Sequence, residues 1–148
     1  MRNWMIAGSL LATGTGMGAG CATVATEYVV RGSDRSVGVD GVIGIHTERE
    51  DVNVVSVELV NLPPPERHDP TRRAFVVWIT PKDGGVIKAG RLAYDADSRK
   101  GVLHATTPND EVFVQVTIEE NSAVTQPSEF VLISKNVMLK RVTDSAGL

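Results

Sequence analysis

The stretch Glu111-Val112-Phe113-Val114-Gln115-Val116-Thr117-Ile118 puts Val112, Val114, Val116 and Ile118 on one face of an extended chain. Strand side chains alternate between faces, so a period of two predicts a half-buried strand rather than a helix. The same period governs nearly everything after residue 21. Val37, Val39, Ile43 and Ile45 alternate with Ser36, Gly38, Asp40 and Gly44, and Val55, Val57 and Leu59 alternate with Ser56 and Glu58. Phe75-Val76-Val77-Trp78-Ile79 is apolar on both faces, as a strand in the middle of a sheet should be. Further strands are expected at 25–31, 86–94, 101–106, 129–134 and 136–142. No segment of this part of the chain carries a 3.6-residue apolar period.

Turn formers separate the runs: Gly32-Ser33-Asp34, Pro81-Lys82-Asp83-Gly84-Gly85, Asp95-Ala96-Asp97-Ser98, Pro108-Asn109-Asp110 and Asn121-Ser122. The longest connection, Pro63-Pro64-Pro65 to Arg73, reads as a stiff crossover between two sheets, with a polyproline-type ligand as the alternative. About seven to nine short strands with short links predict an all-β fold, an antiparallel two-sheet sandwich, against the alternative of a closed barrel. Trp78, in the middle of a strand, is expected to plug the core, with ligand stacking as the other reading.

The first 20 residues have a different character. Met1-Arg2-Asn3 gives a positive start, Trp4 to Ala12 is largely apolar, and Thr13 to Gly20 is small and Gly-rich. Charged start, short apolar core and small residues before a cut are the layout of a secretory signal. Its apolar core is too short for a membrane span, and no later run approaches the roughly 20 residues that a span needs. Gly18-Ala19-Gly20-Cys21 resembles a bacterial lipobox, whose cysteine receives a diacylglyceryl group before cleavage ahead of it. Gly18 stands where Leu is usual, so cleavage by the ordinary signal peptidase, for instance after Ala22, is the alternative. Ala22 also means that the Asp retaining enteric-type lipoproteins in the inner membrane is absent. The expected location is therefore the outer membrane or cell surface, or, on the alternative, the soluble periplasm or the medium. The chain divides into residues 1–20 as a lipoprotein-type signal peptide, 21–35 as the lipidated Cys21 with a tether and first strand, and 36–148 as the sandwich.

Charge and cysteine content narrow the options further. The 148-residue chain has 15 Lys and Arg against 18 Asp and Glu; only Arg2 and no acid lies in residues 1–20, so the mature chain is one unit more acidic than the formal −3. Both signs are scattered, which argues against a nucleic-acid partner, since phosphate binding requires a basic cluster. Cys21 is the single cysteine, so no intramolecular disulfide can form and the core alone must hold the fold.

From about residue 54 to 135 the chain resembles the extracytoplasmic C-terminal domain of anti-sigma-K-type factors. The landmarks are Phe75-Val76-Val77-Trp78-Ile79, Lys88-Ala89-Gly90-Arg91-Leu92, Asp95-Ala96-Asp97 through Gly101, and Val114 through Glu120 followed by Ser122, Gln126-Pro127 and Val131-Leu132. The resemblance implies an immunoglobulin-like antiparallel β-sandwich. It carries over no anti-sigma activity, because the family's zinc-type helical domain and transmembrane helix have no counterpart here. Pro is also missing after Glu119-Glu120, where the family often has it.

Asp95-x-Asp97 fails as a calcium loop, since Arg99, Lys100 and Thr106 occupy positions that an EF-hand fills with oxygen ligands or Gly; it reads as a solvated hairpin turn. His46, His68 and His104 lie in two strands and a loop without metal-ligand spacing, and His104 is expected on the outer face of its strand. No Gly-x-Ser-x-Gly elbow occurs. Arg72-Arg73 with Arg67 and His68 is the only local basic concentration, suited to anionic headgroups or an acidic partner if not simply solvated. No catalytic, cofactor or metal residue is assigned, and Cys21, as the lipidation site, is the one residue given a chemical role. The expected function is a lipid-anchored, non-enzymatic binding or structural module of the cell envelope, touching the membrane through its lipid and an envelope protein or glycan through its surface. The alternatives are an envelope-stress accessory to a membrane anti-sigma system and a small secreted hydrolase.

Overall fold

The computed structural model describes residues 25–141. Cys21 and residues 1–20, where an export signal is expected, lie outside the described residues. Among the described residues nine strands are present: β1 Thr26–Arg31, β2 Asp40–Arg49, β3 Val52–Val60, β4 Ala74–Pro81, β5 Ile87–Arg91, β6 Ala93–Asp95, β7 Lys100–Thr107, β8 Glu111–Glu119 and β9 Val131–Met138. A single helical turn, α1 Pro65–His68, begins on a proline, where the missing N–H costs nothing. One sheet runs β1-β2-β3-β7-β6 and the other β5-β4-β8-β9, every pairing antiparallel. The all-β sandwich expected from the alternation is therefore the fold.

The seam between the sheets is made by the alternating residues. Ile43, Ile45, Val55, Val57 and Leu59 from the first sheet meet Phe75, Val77, Ile79, Val112, Val114, Val116 and Ile118 from the second, all buried. Across the first sheet one inward row reads Val30, Gly41, Leu59, Gly101, Tyr94. Its two glycines make room for leucines: a Cβ on Gly41 would meet the Leu59 side chain, and one on Gly101 would meet Leu92 and Leu62. Leu62 and Leu92 lie where the chain leaves one sheet for the other. Leu62 N donates to Arg99 O and its carbonyl accepts from Tyr94 Oη at 2.6 Å, while Leu92 N donates to Phe75 O at 2.9 Å. The ring of Tyr94 meets Phe75 edge-on at 5.1 Å.

The two flanks of the sandwich differ. Between β1 and β9, Tyr28 Oη donates to Met138 O and accepts from Met138 N, and Lys140 N donates to Thr26 Oγ1, so these edges are stitched together. Between β5 and β7 a cavity of about 670 Å³ opens, lined in part by Ile79, Ile87, Ala89 and Ala105. There β6 pairs only with Lys100–Val102, and among the described residues the rest of that β7 edge has no strand partner.

Three local expectations are corrected. Val37 does not join the buried face of Val39, Ile43 and Ile45; it is 84% exposed, and Ser36 is buried in its place. The cause is a turn through Gly38, whose φ of +90° an L side chain rarely adopts, so the strand starts only at Asp40. The run 86–94 is two strands, β5 and β6, in different sheets, with Leu92 between them. The runs 129–134 and 136–142 are one strand, β9. The segment 61–73 does cross between the sheets, from β3 to β4.

A Cβ on Gly41 would lie 2.4 Å from the Glu58 carbonyl oxygen, part of the neighbouring strand's backbone, whereas one on Gly85 meets nothing within 4 Å. Gly41→Ala should therefore lower unfolding stability by about 1–3 kcal/mol and Gly85→Ala by less than about 0.5 kcal/mol. Urea denaturation followed by circular dichroism separates them; equal midpoints would contradict the packing described.

Candidate functional site

Trp78 lies on the face of β4 opposite the seam. Ala74, Val76 and Trp78 form a second buried cluster, with Val124 of the β8–β9 connection packed against it. The core-plug expectation is thus corrected: Trp78 is 1% exposed, but on the outer face of the second sheet. Lys88 Nζ, donating to Ser122 O and Val124 O, holds the connection down. This cover explains why β4 is apolar on both faces.

Beneath the connection runs a chain of polar groups. Trp78 Nε1 donates to Thr117 Oγ1 at 2.8 Å, and Thr117 Oγ1 donates to Glu119 Oε1 at 2.6 Å. Ser128 N also donates to Glu119 Oε1, at 2.8 Å, and Arg72 Nη1 lies 3.5 Å from Glu119 Oε2. Glu119 is 3% exposed. A buried carboxylate persists only when its charge is met by donors and a counter-ion, and here the Thr117 hydroxyl, the Ser128 N–H and the Arg72 guanidinium meet it.

Arg72 extends the network to the end of the sandwich. Its Nη1 donates to Ile118 O at 3.2 Å, and its guanidinium lies over the Phe130 ring at 4.2 Å. Arg35, from the β1–β2 connection, also lies over Phe130, at 4.9 Å. That connection is pinned to the start of β9: Ser33 N and Ser36 Oγ donate to Leu132 O, and Ser33 Oγ donates to Val131 O. Asp69 accepts from Thr71 Oγ1 and Thr71 N, and these bonds, hydroxyl first, hold its carboxyl below the usual aspartate range and fix the turn leading to Arg72. His68, Arg35, Ile118, Phe130 and Val131 line a cavity of about 320 Å³. Three connections separated by up to about a hundred residues thus converge at one end.

The other residues singled out in the sequence are dispersed. His104 is exposed on the outer face of β7, as expected. His46 is on β2, with β3 between the two. Among the described residues no group of three His, Cys, Asp or Glu could hold a metal, and no helix is long and apolar enough to cross a membrane. Asp95 closes the β6–β7 hairpin, its Oδ1 accepting from Asp97 N at 2.9 Å. Of the basic concentration, Arg72 is ion-paired, and Arg73 Nη1 is taken by Pro70 O and Arg72 O. Glu119, Phe130 and Arg35 carry no local signal in the sequence. Glu119 sits in an outward register position that alternation assigns to solvent, and Arg35 is 37 residues from Arg72.

No family model, curated protein or solved structure matches the chain.

Glu119→Ala would leave the Arg72 guanidinium without its counter-ion and two donors, Thr117 Oγ1 and Ser128 N, unmet. The expected loss of unfolding stability is about 3–5 kcal/mol, the range for breaking a buried pair, while Glu129→Ala on the exposed surface should cost less than about 0.5 kcal/mol. Chemical denaturation checks both; a loss under 1 kcal/mol for the Glu119 variant would show that the network is not integral to the fold.

Proposed function

We propose that the protein is a lipid-anchored, non-enzymatic binding module of the bacterial cell envelope, exported by residues 1–20 and held by a lipid on Cys21. The observation that carries this reading is the direction of the chain. Thr26 starts β1 beside Lys140, so the described chain enters and leaves at one end of the sandwich. The convergent connections carrying Arg35, His68, Arg72 and Phe130 lie at the other end, beyond Arg31, Val60 and Glu119.

The arrangement suits a tether at Cys21. Five residues, 21–25, precede Thr26, and an extended chain of that length reaches at most roughly 17 Å. The end bearing Thr26 would therefore stand near the bilayer and the Phe130 end would face away. β1 produces this geometry: by pairing beside β2 it returns the N-terminus to the end opposite the β1–β2 connection. The strand orders and the sheet-to-sheet crossovers at 61–73 and Leu92 support the immunoglobulin-like reading, a scaffold that commonly presents loops for recognition.

Intact mass and fractionation test the anchor. The wild-type protein should appear in membranes with a diacylglyceryl group on Cys21, whereas Cys21→Ser should lack that mass and move to the soluble fraction. An unmodified wild-type mass, with unchanged fractionation of the variant, would overturn the lipid reading. For the binding role, in-cell crosslinking should capture an envelope partner through the Phe130 end.

A further inference from the structure

Two buried nitrogen atoms at the Phe130 end have no hydrogen-bond partner among the described residues: His68 Nε2 and Arg72 Nε. A buried polar atom left without a partner is costly, and native structures rarely carry one without a reason. Arg72 uses only Nη1, toward Ile118 O and Glu119, so its Nε edge stays unused. That edge of a guanidinium is the fork that matches the two oxygens of a carboxylate or phosphate. Arg35 brings a second guanidinium over the same ring, and it makes no hydrogen bond or salt bridge through its side chain among the described residues.

The acids nearby do not account for these groups. Glu119 is engaged by Arg72, Thr117 and Ser128, and Asp69 by Thr71. Asp34 and Glu129, chain neighbours of Arg35 and Phe130, are exposed and make no ion pair among the described residues. The cavity of about 320 Å³ that Arg35 and His68 line with Phe130 has room for one small charged group.

From this cluster we infer that the end of the sandwich bearing Phe130 is an oxyanion-binding site, taking a single carboxylate or phosphate group. Arg35 supplies the entering charge, His68, which lines the cavity, supplies a hydrogen-bonding nitrogen, and Arg72 adds a second guanidinium charge over the Phe130 ring, the apolar floor on which both guanidiniums rest. Both unpartnered atoms are shielded from solvent, while Arg35 is exposed and its side chain makes no hydrogen bond or ion pair among the described residues, which leaves its guanidinium available to the anion. The inference deepens the binding-module reading by naming the chemistry recognised; it does not depend on the lipid on Cys21.

The test uses isotopically labelled protein purified from the cell envelope, titrated at constant ionic strength with inorganic phosphate and, separately, with acetate. Saturable NMR shifts should appear at Arg35, His68 and Phe130, and the tighter-binding anion tells which group the site prefers. Arg35→Ala, an exposed change that leaves the fold intact, should raise the Kd about tenfold, the value of one charge-assisted hydrogen bond. His68→Phe should weaken binding in the same direction, and Lys82→Ala, at the opposite end, should leave it unchanged. Two outcomes overturn the proposal: no saturable shift at these residues with either anion, or an equal loss in the Lys82 and Arg35 variants. Neither outcome bears on Cys21, whose lipidation is read by mass.

Discussion

The two sheets depend on one another through an apolar seam made mainly of Val, Ile and Leu. Cys21 is the chain's single cysteine, so no internal disulfide reinforces this contact. Each Val or Ile side chain fully buried in it contributes roughly 1.5–3 kcal/mol relative to exposure. The strand order, the glycines at positions 41 and 101 and the leucines at 62 and 92 all follow from the need to close that seam. Where the row of inward residues would be too bulky, glycine makes space, and where the chain must change sheets, a leucine is carried into the gap.

A second, smaller layer is built on the outside of β4. Its buried members are few, but they tie the β8–β9 connection to the sheet and pass from an indole through a hydroxyl to a carboxylate and a guanidinium. The network converts a loop that could otherwise sample many conformations into a fixed support for Phe130. Rigid support from the scaffold beneath a loop is what allows loop residues to be presented in a defined arrangement. The same layer links the 61–73 crossover, through Arg72, to the β1–β2 connection, through Arg35.

The sandwich was legible because its strands report their faces one residue at a time. Val112 through Ile118 and Val55 through Leu59 needed no partner to be read correctly. Reading failed where the local pattern was satisfied but the backbone turned away. Val37 keeps the alternation, yet Gly38 reverses the chain one residue later, and the run 86–94 looks continuous because nothing at Leu92 signals a change of sheet. Trp78 was recognisable as buried but not as belonging to the outer face, since which face of a two-sided apolar strand is covered by a distant loop is not a local property. The cluster at Phe130 was the least legible. Arg72 and His68 were visible as a basic concentration, while Arg35 and Glu119 join them only through tertiary pairing, at sequence distances that no spacing rule spans.

Trp78 has one more consequence. The other tryptophan, Trp4, lies in residues 1–20, the export signal of the proposed reading. On that reading the mature protein carries a single indole, and it lies under the β8–β9 connection rather than between the sheets. Its fluorescence would then report on that cover separately from the seam: lifting the 120–127 loop would wet the ring and shift its emission while the sandwich stayed closed. The molecule thus carries its own optical gauge of the layer that supports Phe130.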